Sequence, residues 1–293
     1  MDNNKKKPQI ILNIFFCILC AMIVLPLIMI VSASFSSETA IAEHGYGVLP
    51  REIDLSAYKY VFKNPQSLID AYKVTFAFSI IFMVLSVLLM AMVAYPLTKK
   101  YLRGRKAISF YLYFTMLFSG GLVPSYILMT KYLQLGDTFW IYILTALISP
   151  WYVFMMRTFF NDIPGEIAES MEMDGASEYT IFFRMVLPLS KPVLATVALF
   201  MFLSKWNDWY VSMLYIDNQK LVSLQYLLQR IMQNIQLIQE NAAKGITVAV
   251  DTDIPSETVR MAMAVLVAGP ALFVFPFFQK YFVKGLTVGS VKG

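Results

Sequence analysis

Polar and apolar positions along this chain sort into long apolar runs divided by polar segments, and the length of the runs is that of a membrane crossing. A bilayer core about 30 Å thick needs roughly 20 apolar residues at ~1.5 Å rise each. Five uncharged runs reach that length, at residues 10–31, 74–97, 107–130, 138–156 and 261–279. A sixth, 193–216, is long enough but carries Lys205 and Asp208. Charges at such depth are costly unless they face protein or water, so this span is expected to face lipid least. The pattern predicts an all-α polytopic membrane protein: a single transmembrane domain over residues 1–293, with six spans and a polar loop at 157–192 between the fourth and fifth.

Composition narrows the class. With 58% apolar and 15% charged residues and a mean hydropathy of +0.61, the chain lies outside the soluble globular range. Lys5, Lys6 and Lys7 ahead of the first run invite a signal-peptide reading. A signal core is about 7–15 residues and closes on a small-residue cleavage site. This run is 22 residues long and continues through Pro26 into Ser32-Ala33-Ser34, so a retained anchor is expected.

Orientation follows from the basic residues, because loops kept in the cytoplasm are enriched in Lys and Arg. With the N-terminus inside, the inner segments hold fourteen: Lys5, Lys6, Lys7, Lys99, Lys100, Arg103, Arg105, Lys106, Arg157, Arg184, Lys191, Lys280, Lys284 and Lys292. The outer segments hold seven: Arg51, Lys59, Lys63, Lys131, Lys220, Arg230 and Lys244. Both termini and the 157–192 loop are therefore expected on the cytoplasmic side. The same asymmetry accounts for the net charge of +5, so no nucleic-acid partner is expected. Cys17 and Cys20 read as two small buried hydrophobes on one face of the first helix, and His44, the only histidine, has no Cys nearby and marks no metal site.

Of the outer segments, 32–73 carries a Gly- and Pro-punctuated turn and a short amphipathic helix starting near Leu55 or Ser56, placed along the membrane surface. The segment 217–258 contains a polar helix whose stripe, Leu224, Leu227, Leu228, Ile231, Ile235 and Ile238, packs on its own protein or on a partner helix. Residues 131–137 form a tight turn. Ser119-Gly120-Gly121 with Pro124, Pro96, Pro150, and Gly269-Pro270 with Pro276 interrupt backbone bonding inside the spans, for close packing or for gating.

The segment Glu169–Pro192, ESMEMDGASEYTIFFRMVLPLSKP, is a polar interruption of 24 residues with four carboxylates, a glycine and paired prolines, and is expected to touch something outside the membrane. Asn161-Asp162-Ile163-Pro164 supplies a cap and a first-turn proline for a helix. Ile167, Ala168 and Met171 line one side of it, and Glu166, Glu169, Glu172 and Asp174 stay wet. Gly175 ends that helix. A second, Ser177–Val186, is expected to stop before Leu187-Pro188.

These residues resemble the signature of permease subunits of bacterial ABC importers, E-A-A, three residues, G, and a later Leu-Pro. Glu169, Gly175, Leu187 and Pro188 match it, while Ser170 and Met171 replace the two alanines. The fuller form of the carbohydrate importers, Asp-Gly-Ala with Leu-Pro-x-x-x-Pro, is similar to Asp174, Gly175, Ala176 and Leu187, Pro188, Pro192. The resemblance implies that the loop is a coupling helix seated on a partner ATPase. Glu169, Glu172, Asp174, Gly175, Ala176, Leu187 and Pro188 would be its coupling residues, with Glu169 either paired to a cation of the partner or solvated. It further implies a second, homologous permease, two ATPase subunits, an extracytoplasmic solute-binding protein and a carbohydrate substrate, in a bacterial cytoplasmic membrane. The C-terminal tail, Lys280–Gly293, would approach the ATPase dimer. The chain has no G-x-x-x-x-G-K-[ST] phosphate loop and no catalytic motif, so ATP and Mg are expected on the partner. The run Ser119–Pro124 resembles permeases for complex or acidic oligosaccharides.

The fifth span, LSKWNDWYVS, concentrates the remaining polar chemistry. Lys205 and Asp208 are three apart and can pair. Alternatively, Lys205, Trp206, Asn207, Asp208, Trp209 and Tyr210 line a substrate pathway, with aromatic faces for sugar rings and polar groups for hydroxyls; a Trp-Asn pair here resembles sugar-importer permeases. An ion-coupled transporter would need further intramembrane carboxylates or histidines beyond Lys205 and Asp208. A membrane enzyme would need a cluster of His, Cys or carboxylates near one interface, which the sequence lacks.

Overall fold

A computed structural model describes residues 6–244 and 256–289. Every regular element among them is helical, and the one β-bridge, Ser36 to Ile53, is isolated. In chain order the α-helices are α1 (Lys6–Ser34), α2 (Glu38–His44), α3 (Ser56–Val61), α4 (Pro65–Ala94), α5 (Arg105–Leu117), α6 (Leu122–Ile127), α7 (Ile141–Leu144), α8 (Pro150–Asn161), α9 (Gly165–Met173), α10 (Glu178–Ile181), α11 (Leu187–Leu189), α12 (Lys191–Trp206), α13 (Tyr210–Tyr215), α14 (Leu224–Ala243) and α15 (Ser256–Gly289).

Three stretches are long and apolar enough to cross a membrane as single helices: Leu12–Ser34, Pro65–Thr98 and Ser256–Gln279. Two more do so only as bent pairs, Arg105–Leu117 with Leu122–Tyr132 at 112° and Glu178–Leu189 with Lys191–Trp206 at 79°. The runs expected at 107–130, 138–156 and 193–216 are thus broken helices. The first of these turns at residues 118–121, where Gly121 adopts φ +89°; the second is divided between α7 and α8; the third is interrupted at Asn207–Trp209. Pro96 opens a 3-10 turn, Pro96–Thr98, that closes α4, and Pro150 starts α8. The other expected interruption does not occur, since α15 runs on through Gly269-Pro270 and Pro276.

The chain divides into two compact units. The first comprises Met1–Leu68 and Leu227–Pro270. Here α1 is exposed at every residue from Leu12 to Ile28, Cys17 and Cys20 included, so the two cysteines face outward instead of packing inside the protein. The segment after α1 is tied down by polar bonds. Ser37 N–H donates to the Glu52 carbonyl at 3.0 Å and Asp54 N–H to the Phe35 carbonyl at 2.9 Å. Asp54 accepts from Ser56 N–H at 3.0 Å, which starts α3 where the turn chemistry places it. Buried Ala57 and Val61 show that α3 packs on protein. The Glu38 carboxylate of α2 caps α15, accepting from the N–H groups of Glu257 at 2.9 Å and Thr258 at 3.0 Å, where a helix start favours negative charge. The apolar stripe of α14 turns inward, with Leu224, Leu228 and Ile235 buried and the rest half-buried.

The second unit comprises Ile69–Tyr226 and Ala271–Gly293. Its core joins α4 (Phe82, Met90, Ala94), α8 (Val153, Met156, Phe160), the turn after α10 (Phe182, Met185, Val186) and α12 (Val193, Val197, Met201). The tight turn at 131–137 is held by Asp137, whose carboxylate accepts from the N–H groups of Asp217 at 3.1 Å and Asn218 at 2.7 Å.

Candidate functional site

Two polar sites stand out in the second unit, both built around a lysine. The first lies at the bend between α9 and α10. The helix start differs from the expected one: Asp162 closes α8, its N–H bonded to the Phe159 carbonyl, and Pro164 takes the cap position of α9 with Gly165 as first helical residue. Ala168 and Met171 turn to the core with Ala176, but Ile167 is exposed, so the buried stripe is narrower than expected. Gly175 has φ +81°, a conformation that costs other residues about 1 kcal/mol, and a Cβ there would meet nothing within 4 Å. The reversal therefore depends on backbone freedom, not on close approach.

After the bend, the Ser177 hydroxyl accepts from Thr180 N–H and caps α10. Pro188 does not stop the helix. The turn Phe182–Val186 widens to π geometry, with Leu187 N–H bonded to the Phe182 carbonyl, and α11 continues through Leu187 and Pro188. Proline has no N–H and crowds the preceding turn, and a widened turn relieves both effects.

The bend is clamped to the end of α4. Lys99 Nζ lies 2.9 Å from the carboxylate of Glu178 in α10 and 3.5 Å from that of Glu172 in α9, so one ammonium spans both arms of the bend. The hydroxyls of Tyr95 and Tyr101 donate to the same Glu178 carboxylate. The Lys99 cation also stands 5.2 Å from the centre of the Tyr95 ring. Burial works against the charged Glu178, but the Tyr101 and Tyr95 hydroxyls and the Lys99 ammonium outweigh it and hold its pKa below the usual carboxylate range. Lys99 is likewise opposed by burial and raised on balance by Glu178. A cavity of about 290 Å³, lined by Met92, Tyr95, Lys99, Glu178 and Phe182 among others, opens beside the clamp.

Of the residues singled out by sequence, Glu169, Glu172, Asp174 and Gly175 are exposed, Ala176 and Leu187 are half-buried, and Pro188 is exposed. Met173, in the middle of them, is 88% exposed, and Tyr179 is also largely open. Sequence reasoning missed the clamp residues Tyr95, Lys99, Tyr101 and Glu178. The one signal in the sequence is the Ser177-Glu178 pair at a helix start; Lys99 stands there only as one of the basic residues that set topology.

The second site is the break between α12 and α13. Lys205 is 4% exposed and pairs with Asp208 at 3.0 Å, with its ammonium 4.8 Å from the centre of the Phe82 ring. Asp208 also accepts from Val211 N–H at 3.0 Å, which restarts the helix after the break, and its carbonyl accepts from the Ser223 hydroxyl at 3.0 Å. Trp206 is 1% exposed and stacks on Phe202, so neither Lys205 nor Trp206 opens to a surface. Asn207, Trp209 and Tyr210 are exposed, and the last two rings meet edge to face at 5.8 Å. The Asn207 amide donates to the Leu203 carbonyl at 2.9 Å and accepts from Gln225 at 3.0 Å. Six expected pathway residues thus divide into an inner half, Lys205, Trp206 and Asp208, and an exposed outer half, Asn207, Trp209 and Tyr210.

Comparison with known proteins places these features in a family. Residues 70–288 match the model of the binding-protein-dependent transport system inner membrane component. The chain is 36% identical over 273 residues to Protein LplC of Bacillus subtilis (strain 168), covering 93% of this chain and 90% of the relative. It is 34% identical to the polygalacturonan/rhamnogalacturonan transport system permease protein YtcP of the same organism, with 96% and 95% covered. Among solved structures, it is similar to a chain of a bacterial ABC transporter involved in the import of the acidic polysaccharide alginate. The TM-score there is 0.78 at 29% identity, over 96% of this chain and 99% of that one. The chain belongs to the family of inner-membrane components of binding-protein-dependent transport systems and is a multi-pass membrane permease.

Proposed function

We propose that this permease is the transmembrane subunit of an ATP-driven importer of carbohydrate, and that its substrate is an acidic oligosaccharide. The observation that carries the reading is the exposed bend at Glu169–Ala176, clamped to α4, in a chain of this family. The names of two relatives, one for polygalacturonan and rhamnogalacturonan and one for alginate, supply the acidic class. The importer comprises a second permease, two ATPase subunits and an external solute-binding protein, in a bacterial cytoplasmic membrane. ATP and Mg bind on the ATPase. The chain crosses six times with both termini inside, the third crossing being made by the bent pair α5 and α6, the fourth by the short helices α7 and α8, and the fifth by the interrupted helices α12 and α13.

In this reading α9 and the start of α10 are the coupling helix. Glu169, Glu172, Asp174 and Gly175 present the docking face, with Met173 as its apolar centre, while Ala176, Leu187 and Pro188 fix the way back to the membrane. ATP-driven closure of the ATPase pair moves the bundle between inward-open and outward-open states. Asn207, Trp209 and Tyr210 offer ring faces and hydrogen bonds to the sugar. Reconstitution with the three partners tests this: uptake of a labelled oligogalacturonide should require ATP and stop when the ATPase catalytic site is inactivated. Uptake that survives inactivation and follows an ion gradient would overturn it. Import of a solute of another class, with no sugar carried, would leave the family mechanism and refute the substrate.

A further inference from the structure

A cavity at the start of α5, next to the clamp and sharing Leu102 with the cavity there, is lined by four cations and no carboxylate. It measures about 720 Å³ and is lined by Lys100, Arg105, Lys106 and Arg157 with Leu102, Gly104 and Ser109. None of these four cations has a carboxylate within 4.0 Å among the described residues. Arg157 donates instead to the Ser109 hydroxyl at 3.2 Å. Arg105 and Arg157 thus line one hollow from two different helices, α5 and α8. Topology requires basic residues on this side of the membrane, but does not require them to converge on one hollow; like charges brought together at a partly buried site are unfavourable until an anion joins them.

The surroundings indicate which anion. The first turn of α5 has no side-chain cap, and the positive end of the helix dipole adds to the field at the mouth. From the cavity, α5 runs outward along exposed Phe110, Phe114 and Phe118, spaced four residues apart; Phe110 and Phe114 have ring centres 6.3 Å apart and Phe114 and Phe118 stack at 4.4 Å. A charged hollow continuous with an apolar aromatic strip has the two-part chemistry of a phospholipid, headgroup at one end and acyl chain along the other.

We propose that this cavity is a binding site for the phosphate group of an anionic phospholipid, held by Lys100, Arg105, Lys106 and Arg157, with an acyl chain lying along Phe110, Phe114 and Phe118. The site goes beyond the transport reading and needs only a membrane-embedded chain. The test uses the complete purified complex, delipidated and titrated with phosphatidylglycerol or phosphatidylcholine vesicles, with bound lipid counted by native mass spectrometry. Phosphatidylglycerol should be retained in preference to phosphatidylcholine. Lys100→Gln with Arg105→Gln and Lys106→Gln should weaken its binding about a hundred-fold, at the strength typical of a membrane-surface cation. Arg105→Lys should retain most of it, and Phe114→Ala should weaken binding without changing headgroup preference. Lys59→Gln with Lys63→Gln, on another segment, should change nothing and controls for the loss of basic side chains elsewhere. Equal retention of the two lipids, or undiminished phosphatidylglycerol binding in the triple variant, would overturn the proposal. So would saturation of the site by inorganic phosphate with no lipid preference, which would make free phosphate the ligand. If the triple variant fails to assemble, Arg105→Gln alone should still weaken phosphatidylglycerol binding, and native binding in that variant overturns the site.

Discussion

The two lysine sites of the second unit use one interaction for opposite ends. Lys205 and Asp208 are three residues apart, almost wholly buried, and bond within one interrupted helix. Lys99 reaches residues 73 and 79 positions away, is itself mostly covered, and meets carboxylates in contact with water. A local buried pair can hold a kink open but cannot link segments, whereas the clamp joins the end of α4 to both arms of the bend. On the proposed function, the difference separates a stability element from a transmission element. Substituting the first should destabilise the protein, and substituting the second should leave its stability nearly intact but disconnect the bend from α4.

The largest effects are expected at the inner half of the α12–α13 break. Lys205→Met leaves Asp208 buried without its counter-charge and should cost about 3–5 kcal/mol. Lys205→Met with Asp208→Asn should recover most of that loss. Trp206→Ala should cost about 3–5 kcal/mol through lost packing. Thermal unfolding of the purified protein reads all three, and a Lys205→Met variant as stable as the native protein would remove the distinction.

At the clamp, Glu178→Gln keeps an acceptor for the tyrosine hydroxyls but removes the charge that holds Lys99. Because water reaches this carboxylate, stability should fall by no more than about 1 kcal/mol. Transport per ATP hydrolysed should fall about ten-fold, a typical coupling energy, and Lys99→Arg should keep most of it. Gly175→Ala forces a side chain into φ +81° at about 1 kcal/mol of strain and should reduce coupled transport less than Glu178→Gln does. The smallest effect is expected at Trp209→Ala. It should leave thermal stability unchanged and weaken substrate transport by the ~0.5–1.5 kcal/mol of one lost ring contact.

The sequence displayed the membrane class, the polar loop and the glycine of its bend plainly, because each is encoded locally: apolar run length, carboxylates between runs, and a residue without Cβ. Ala168 and Met171 were legible as an inward face for the same reason. What was not legible depends on contacts distant in sequence or on backbone detail. Tyr95 and Glu178 meet across 83 positions, and nothing near either residue announces the other. The π turn that carries the chain through Pro188 replaces an expected helix end, since the penalty of proline can be met by widening a turn as well as by stopping. Lys205 and Asp208 were legible as a pair by spacing. The burial of Trp206 beside exposed Trp209 was not, since the break at Asn207 changes which way each ring faces.

The central claim is that the exposed bend docks onto a separate ATPase. Its most direct measurement is the maleimide labelling rate of a single cysteine placed at Met173, in a background with Cys17 and Cys20 replaced by serine. The rate is compared between the permease alone and the assembled complex. The account predicts rapid labelling of the free permease and strong protection once the ATPase is bound; equal labelling in both would contradict it.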